Sequence, residues 1–195
     1  MTPLPSGPFA TLVVDPPWQV KAGRQIGRYI RPVNGKQPFG VVQNAARDVA
    51  YPTLSVEEIA ALPVGTIAAR DAHLYLWVIN KYLPDAFAIA SAWGFQFSTL
   101  LTWAKRPMGG GLGGAYGISS EHLLFCRRGT LRAKQRIGRT WFDWKRPYKN
   151  GYPHHSAKPP EAFEVIESVS GGPYVELFAR TRRPGWTSWG DQLDG

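Results

Sequence analysis

The junction between Val14 and Asp15 constrains this chain more than any other stretch. Phe9-Ala10-Thr11-Leu12-Val13-Val14 is a short apolar run, β-branched toward its end, and Asp15-Pro16-Pro17-Trp18 follows at once. Two prolines cannot continue a sheet ladder, so the run predicts a buried strand whose carboxyl end delivers four residues into a cleft. Open α/β sheets place their chemistry at that end of their strands. Asp15 brings acceptor oxygens and, when ionised, no donor. Pro16 and Pro17 lack an N–H and have a fixed φ, which makes their carbonyls rigid acceptors. Trp18 brings an apolar face on which a planar ring can stack, worth roughly 1–3 kcal/mol for a nucleobase. The set suits a flat group that donates two hydrogen bonds, such as the exocyclic amine of a base. Alkylation of that amine needs such a trap, because the lone pair is delocalised into the ring. The Asp15 carboxylate and the Pro16 carbonyl would hold both N–H bonds and favour a pyramidal nitrogen in the transition state. The tetrapeptide equally suits a strand exit followed by a tight turn, with Trp18 as ordinary core.

The rest of the chain alternates strand and helix signals in βαβ order. Ser55 followed by Glu58 makes a capping box for a short helix over Val56 to Leu62. His73 to Asn80 reads as a second strand, nearly apolar on both faces, as parallel strands in a covered sheet are. A helix from about Leu83 to Trp93 ends at Gly94, and Phe95 to Trp103 is a third strand leading to Lys105. Glu121 to Cys126 is a fourth strand with Glu121 at its start, where that carboxylate either approaches the cleft or caps a loop. Glu161 to Val169 is a helix led by two prolines, and Pro173 to Ala179 is a last strand with Arg180 at its carboxyl end. The aromatic, glycine-rich tail from Pro184 to Gln192 suits either the wrapping of a cofactor purine or a strand pinning the sheet edge.

At 195 residues with 44% apolar and 19% charged side chains, one domain with a full core is expected over 1–195. Loops are expected at 19–50, 106–118 and 128–157. The glycine-rich part of the second, Met108 to Gly117, lacks the Lys-Ser/Thr of a phosphate loop. No apolar run approaches twenty residues, and the one cysteine, Cys126, sits in an apolar run, so a soluble, cytoplasmic chain without a disulfide is expected. His154 and His155 have no partners at metal-ligand spacing, and no metal is assigned. The net charge is +9, concentrated in two segments: Lys21 to Arg47 holds six basic residues and no acid, and Arg127 to Lys149 holds nine with Asp143 alone against them. Basic loops beside a base-trapping cleft would bind phosphates with sequence-blind affinity; otherwise they are a solvated surface.

Several further motifs occur in one order: Tyr51-Pro52-Thr53-Leu54-Ser55, Leu76-Trp77-Val78, Trp93-Gly94-Phe95, Trp103-Ala104-Lys105, Glu121-His122, Ser156-Ala157-Lys158-Pro159, Glu176-Leu177-Phe178-Ala179-Arg180 and Gly190-Asp191-Gln192-Leu193. With Asp-Pro-Pro-Trp, this set resembles the adenine-N6 methyltransferase family that includes the catalytic subunit of the messenger-RNA adenosine methyltransferase and bacterial and phage DNA-modifying enzymes. The resemblance runs from about Phe9 to the C-terminus. It implies a Rossmann-like α/β fold, a mostly parallel central sheet flanked by helices, using S-adenosylmethionine, with the catalytic motif ahead of the cofactor motif. It assigns Asp15, Pro16, Pro17 and Trp18 to the target amine. Asp15 and Lys158 fall beside the methyl donor and the base, with Tyr51, Ser156 and Glu121 on the substrate side. Arg180, Arg182, Arg183, Asp191 and Gln192 fall to the cofactor, with Asp191 standing where the messenger-RNA enzyme has an asparagine. The reaction expected is N6 methylation of adenine in a polynucleotide, flipped or already unpaired. DNA is preferred because the chain is small and lacks RNA-binding modules, with RNA or a catalytically silent nucleic-acid-binding subunit as alternatives and a monomer or homodimer as the assembly.

Overall fold

The computed structural model describes residues 2–19, 52–105, 116–149, 152–153 and 157–193. Nine strands and four α-helices occur among them: β1 Phe9–Val14, α1 Val56–Ala60, α2 Val64–Ile67, β2 Ala68–Val78, α3 Leu83–Ala92, β3 Gln96–Ala104, β4 Ser120–Arg128, β5 Trp141–Phe142, β6 Tyr148–Lys149, β7 Tyr152–Pro153, α4 Pro160–Val169, β8 Tyr174–Leu177 and β9 Trp186–Trp189. Seven strands form one sheet in the order β5-β3-β4-β2-β1-β8-β9, and β6 and β7 form a separate antiparallel pair. Six strands of the large sheet run parallel to one another, and only β4 is reversed, pairing antiparallel with both β2 and β3. The architecture is the α/β Rossmann-like one expected, with the reversed strand as the element that direction-blind apolar runs did not announce.

β1 lies inside this sheet, between β2 and β8. Leu12, Val13 and Val14 are fully buried, and Val13 pairs with Tyr75 on one side and Glu176 on the other. The chain winds outward from β1 to β2 in one direction and to β8 and β9 in the other, so the strand order reverses between β1 and β8. The carboxyl ends of strands at such a point are where α/β sheets open a crevice.

Two cores cover the two faces. Leu12, Val14, Leu74, Leu76 and Val78 pack with Ile59, Val64, Ile67, Ala86 and Ile89 of α1, α2 and α3. Val13, Tyr75, Trp77, Trp103 and Leu123 pack on the other face with Phe163 and Ile166 of α4, and with Phe142 and Trp144. The Ser55 capping box is formed, Glu58 N–H donating to Ser55 Oγ and Ser55 N–H to Glu58 Oε2. Within the segment 128–157, Trp141–Phe142 adds β5 to the sheet edge beside Thr102 and Trp103. Lys134 ties the same segment to the end of α4 through the Glu167 carbonyl at 2.7 Å. The tail takes the edge-strand form, β9 lying parallel to β8. No helix among the described residues is long and apolar enough to cross a membrane.

Candidate active site

β1 ends at Val14 because the next residues are a tight turn. Asp15 N–H still donates to the Leu177 carbonyl of β8 at 3.3 Å, and Trp18 N–H then folds back on the Pro16 carbonyl at 2.8 Å. The Pro17 carbonyl accepts Leu54 N–H at 2.9 Å, which brings the start of the capping-box segment against the turn. The turn is thereby held rigid with the Asp15 carboxylate at its head. A carbonyl has two lone pairs, so the bond from Trp18 leaves Pro16 one further acceptor direction. Trp18 is only 6% exposed, stacks on Tyr82 at 5.1 Å between centroids, and donates Nε1–H to the Trp77 carbonyl at 3.1 Å. This departs from the open stacking platform expected of Trp18. With one ring face taken by Tyr82 and its N–H by Trp77, it is part of the core wall that sets the turn.

Next to Asp15 stands a row of alternating charge. Lys158, just before α4, donates from Nζ to Asp15 Oδ2 at 2.7 Å and lies 3.7 Å from Glu121 Oε2. Glu121 Oε1 in turn accepts from Lys105 Nζ. These side chains are between 11% and 21% exposed, so little water screens them. The Lys158 ammonium also lies over the Trp77 ring at 5.4 Å, against a negative π face. Burial pushes the Asp15 carboxyl above its ordinary value, an effect that the Lys158 charge and hydrogen bond oppose. Burial works against the Lys158 charge, but Asp15 and Glu121 outweigh it and hold the ammonium protonated. Glu121 is the mirror case: burial alone would raise it, and Lys158 and Lys105 together bring it below the usual carboxylate range.

The β8–β9 side supplies the remaining predicted groups. Phe178, directly after β8, has φ +63°, a left-handed conformation that is strained for an aromatic residue and often found at functional turns. Ala179 N–H donates to the Trp189 carbonyl at 2.9 Å. A Cβ on Gly190 would meet the Ala179 carbonyl at 2.4 Å, so only glycine allows the two strand exits to close on one another. Arg180 leaves this knot close enough for its charge to act on both Asp15 and Lys158. Arg183 stacks on Phe163 at 3.7 Å, while Arg182, Asp191 and Gln192 are exposed. Tyr51 and Ser156 lie outside the described residues, as do 20–50 and 106–115 of the expected loops.

The expectations omitted Glu176. It sits mid-strand in β8, opposite Val13 on one side and Ser188 on the other. Its Oε2, the Ser188 hydroxyl and the Arg183 Nε are buried without a hydrogen-bond partner. Burial raises the Glu176 carboxyl to about 7, Arg183 opposing and Asp15 adding to the rise. The signal was present in the sequence: strands covered on both faces are almost continuously apolar, so an acid inside Tyr174–Leu177 breaks the pattern. Orphaned buried polar atoms ask for a partner. The Glu176 carboxylate feels the charges of Arg183, Asp15 and Lys158 and pairs across the strands with Ser188, a set that suits a zwitterionic, hydroxyl-bearing cofactor such as S-adenosylmethionine.

The sequence profile of the MT-A70 family matches residues 9–192 of this chain. The type II methyltransferase M.MunI of a Mycoplasma species is 26% identical over 97% of this chain and 80% of its own length. The human N(6)-adenine-specific methyltransferase METTL4 is 27% identical over 95% of this chain. The human N(6)-adenosine-methyltransferase catalytic subunit METTL3 is 24% identical over 97% of it. The chain spans only 37% and 29% of the lengths of these two human relatives.

Proposed function

The chain belongs to the MT-A70 family of N6-adenine methyltransferases, and on that premise we propose that it transfers a methyl group from S-adenosylmethionine to the amino nitrogen of adenine in DNA. The observation that carries the reading is the Lys158–Asp15 pair, 2.7 Å apart and barely exposed, at the carboxyl end of β1. When bound, S-adenosylmethionine supplies an electrophilic methyl group. The protein's contribution is to hold the amine. Lys158 occupies Asp15 Oδ2 and fixes the carboxylate plane, so that Oδ1 and the second lone pair of the Pro16 carbonyl can accept the two amine N–H bonds. Both acceptors strengthen their hold as positive charge develops on the nitrogen, which lowers the barrier. The nitrogen sheds one of these protons as it gains the methyl group, and Asp15, whose carboxyl burial already favours the protonated form, is the nearest acceptor. Glu176, Ser188, Arg180 and Asp191 hold the cofactor in this reading, and Glu121 holds Lys158 from behind.

The near end-to-end match with a type II methyltransferase supports DNA over RNA. Incubation with labelled S-adenosylmethionine and, separately, duplex DNA, single-stranded DNA and RNA, followed by digestion to nucleosides, tests this. Labelled N6-methyldeoxyadenosine is the expected product. Label only in adenosine would overturn the DNA assignment, and no label with cofactor bound would overturn the reaction for the isolated chain.

A further inference from the structure

The end of the sheet opposite the catalytic pair carries a second opening. A groove of about 490 Å³ lies where β3 begins and β4 ends, lined by Gly94, Gln96, Phe97, Ser98, Arg127 and Arg128. Gln96 pairs with Arg127 across the strands. Arg127 Nη2 donates to the Leu131 carbonyl at 3.1 Å and Arg128 Nη1 to the Gly65 carbonyl at 2.7 Å. Both guanidinium groups are therefore held by backbone carbonyls, Arg127 on one face of β4 and Arg128 on the other, and among the described residues neither has a carboxylate within ion-pair distance. Asp71, on the adjoining turn, is committed to the Thr130 amide and hydroxyl. Beside the arginines Phe97 is 47% exposed and Phe87 38%. The two rings meet edge to face at 4.9 Å, which holds Phe97 in place while nearly half of it stays exposed.

One held cation on each face of the sheet end, with the exposed Phe97 ring on the Arg128 face, forms a combination that suits a strand crossing the sheet end with phosphates on the arginines and a base on the ring. We propose that this groove binds a single-stranded stretch of the same polynucleotide whose adenine occupies the catalytic end, with phosphates on Arg127 and Arg128 and a base on Phe97. The inference rests on the proposed function for the identity of the polynucleotide. Charge complementarity favours it, since the lining contains no acid and the chain carries +9.

The geometry sets a length. β3 runs the nine residues from Gln96 to Ala104 between the groove and the catalytic end, roughly 26 Å at about 3.3 Å per residue. A stacked single strand rising about 3.4 Å per nucleotide needs roughly eight nucleotides to cover that span. Oligonucleotides shorter than this engage one site, and longer ones gain from the second by effective concentration.

The test measures anisotropy of a labelled thirty-nucleotide oligo-dT and of a six-nucleotide one, neither of which contains adenine, across a salt series. The expected result is at least tenfold tighter binding of the long probe by the wild-type protein. R127Q/R128Q should lose that advantage, with the slope of log affinity against log salt shallower by about 1.4 for two phosphates. The single variants R127E, at an exposed position, and F97S repeat the test should the double variant fold poorly. Methylation of a six-nucleotide adenine substrate should be unchanged in all three. Wild-type affinity and salt slope on the long probe in every folded variant would overturn the proposal. So would displacement of the probe by polyglutamate at lower concentration than by unlabelled oligo-dT, which would give the groove to an acidic protein segment. Binding as expected without methyl transfer would sink the proposed reaction and leave the groove standing.

Discussion

Glu176→Gln isolates the least expected group in the site. The carboxyl ordinarily titrates near 4.5 and is raised to about 7 in the folded protein, first by burial. Between those two pH values the folded state binds a proton that the unfolded state has lost, so stability falls as pH rises through the interval. The interval corresponds to at most about 3 kcal/mol. Glutamine keeps the shape and cannot ionise. The assay is urea unfolding of wild type and variant at steps from pH 4 to pH 8. The difference between them should be flat below pH 4.5, grow in the variant's favour toward pH 7 by up to about 3 kcal/mol, and level off above. Asp15 titrates in both proteins and cancels to first order. S-adenosylmethionine carries a net positive charge, so its binding near pH 7 should expel up to about half a proton from the Glu176 carboxyl of the wild-type protein and none from that position in the variant. Calorimetry in buffers of different ionisation enthalpy reads this directly. Parallel stability curves for the two proteins would refute the reasoning, because they would mean that Glu176 is as well solvated folded as unfolded.

Other substitutions probe the neighbouring groups. Asp15→Asn keeps the shape of the turn and removes the charge-assisted acceptor, so single-turnover methyl transfer should fall by about a thousandfold or more while calorimetric cofactor binding persists. Lys158→Met leaves Asp15 and Glu121 facing each other without the intervening cation. It should destabilise the fold by about 3 kcal/mol at pH 8 and by progressively less as pH falls, because Lys158 is the group that opposes the burial-driven rise of the Asp15 carboxyl, as thermal unfolding across a pH series would show. Ser55→Ala removes the capping box of α1 and should cost about 1 kcal/mol, with the rate on saturating substrate unchanged.

The parts of the fold that were legible in the sequence are those set by local chemistry. β1 occupies Phe9–Val14 as its apolar run and the two prolines dictate, and the Ser55–Glu58 spacing encodes a capping box that forms. The direction of β4 was not legible, because Leu123 to Cys126 reads equally apolar forwards and backwards and direction is settled by its partners β2 and β3. α2 spans four residues, too few for a helical period to register. Asp15 and Lys158 were nameable from motifs, but their contact spans 143 positions, and Tyr82, which covers Trp18, carries no motif at all. Glu176 went unread because an acid within four strand residues looks like an outward-facing position until both neighbouring strands are known.

The placement of β1 also bears on how the molecule comes into being. Its partner β8 begins at Tyr174, so a chain emerging from the ribosome must hold β1 with one edge unmatched until β8 has been made. That edge belongs to a largely buried, apolar segment, a template for mispairing between nascent chains. Until β8 and β9 arrive, Asp15 has neither its backbone bond to Leu177 nor the close of the sheet around it. Activity should therefore appear only once β8 and β9 have been made, and fragments ending before Tyr174 should aggregate rather than show partial function.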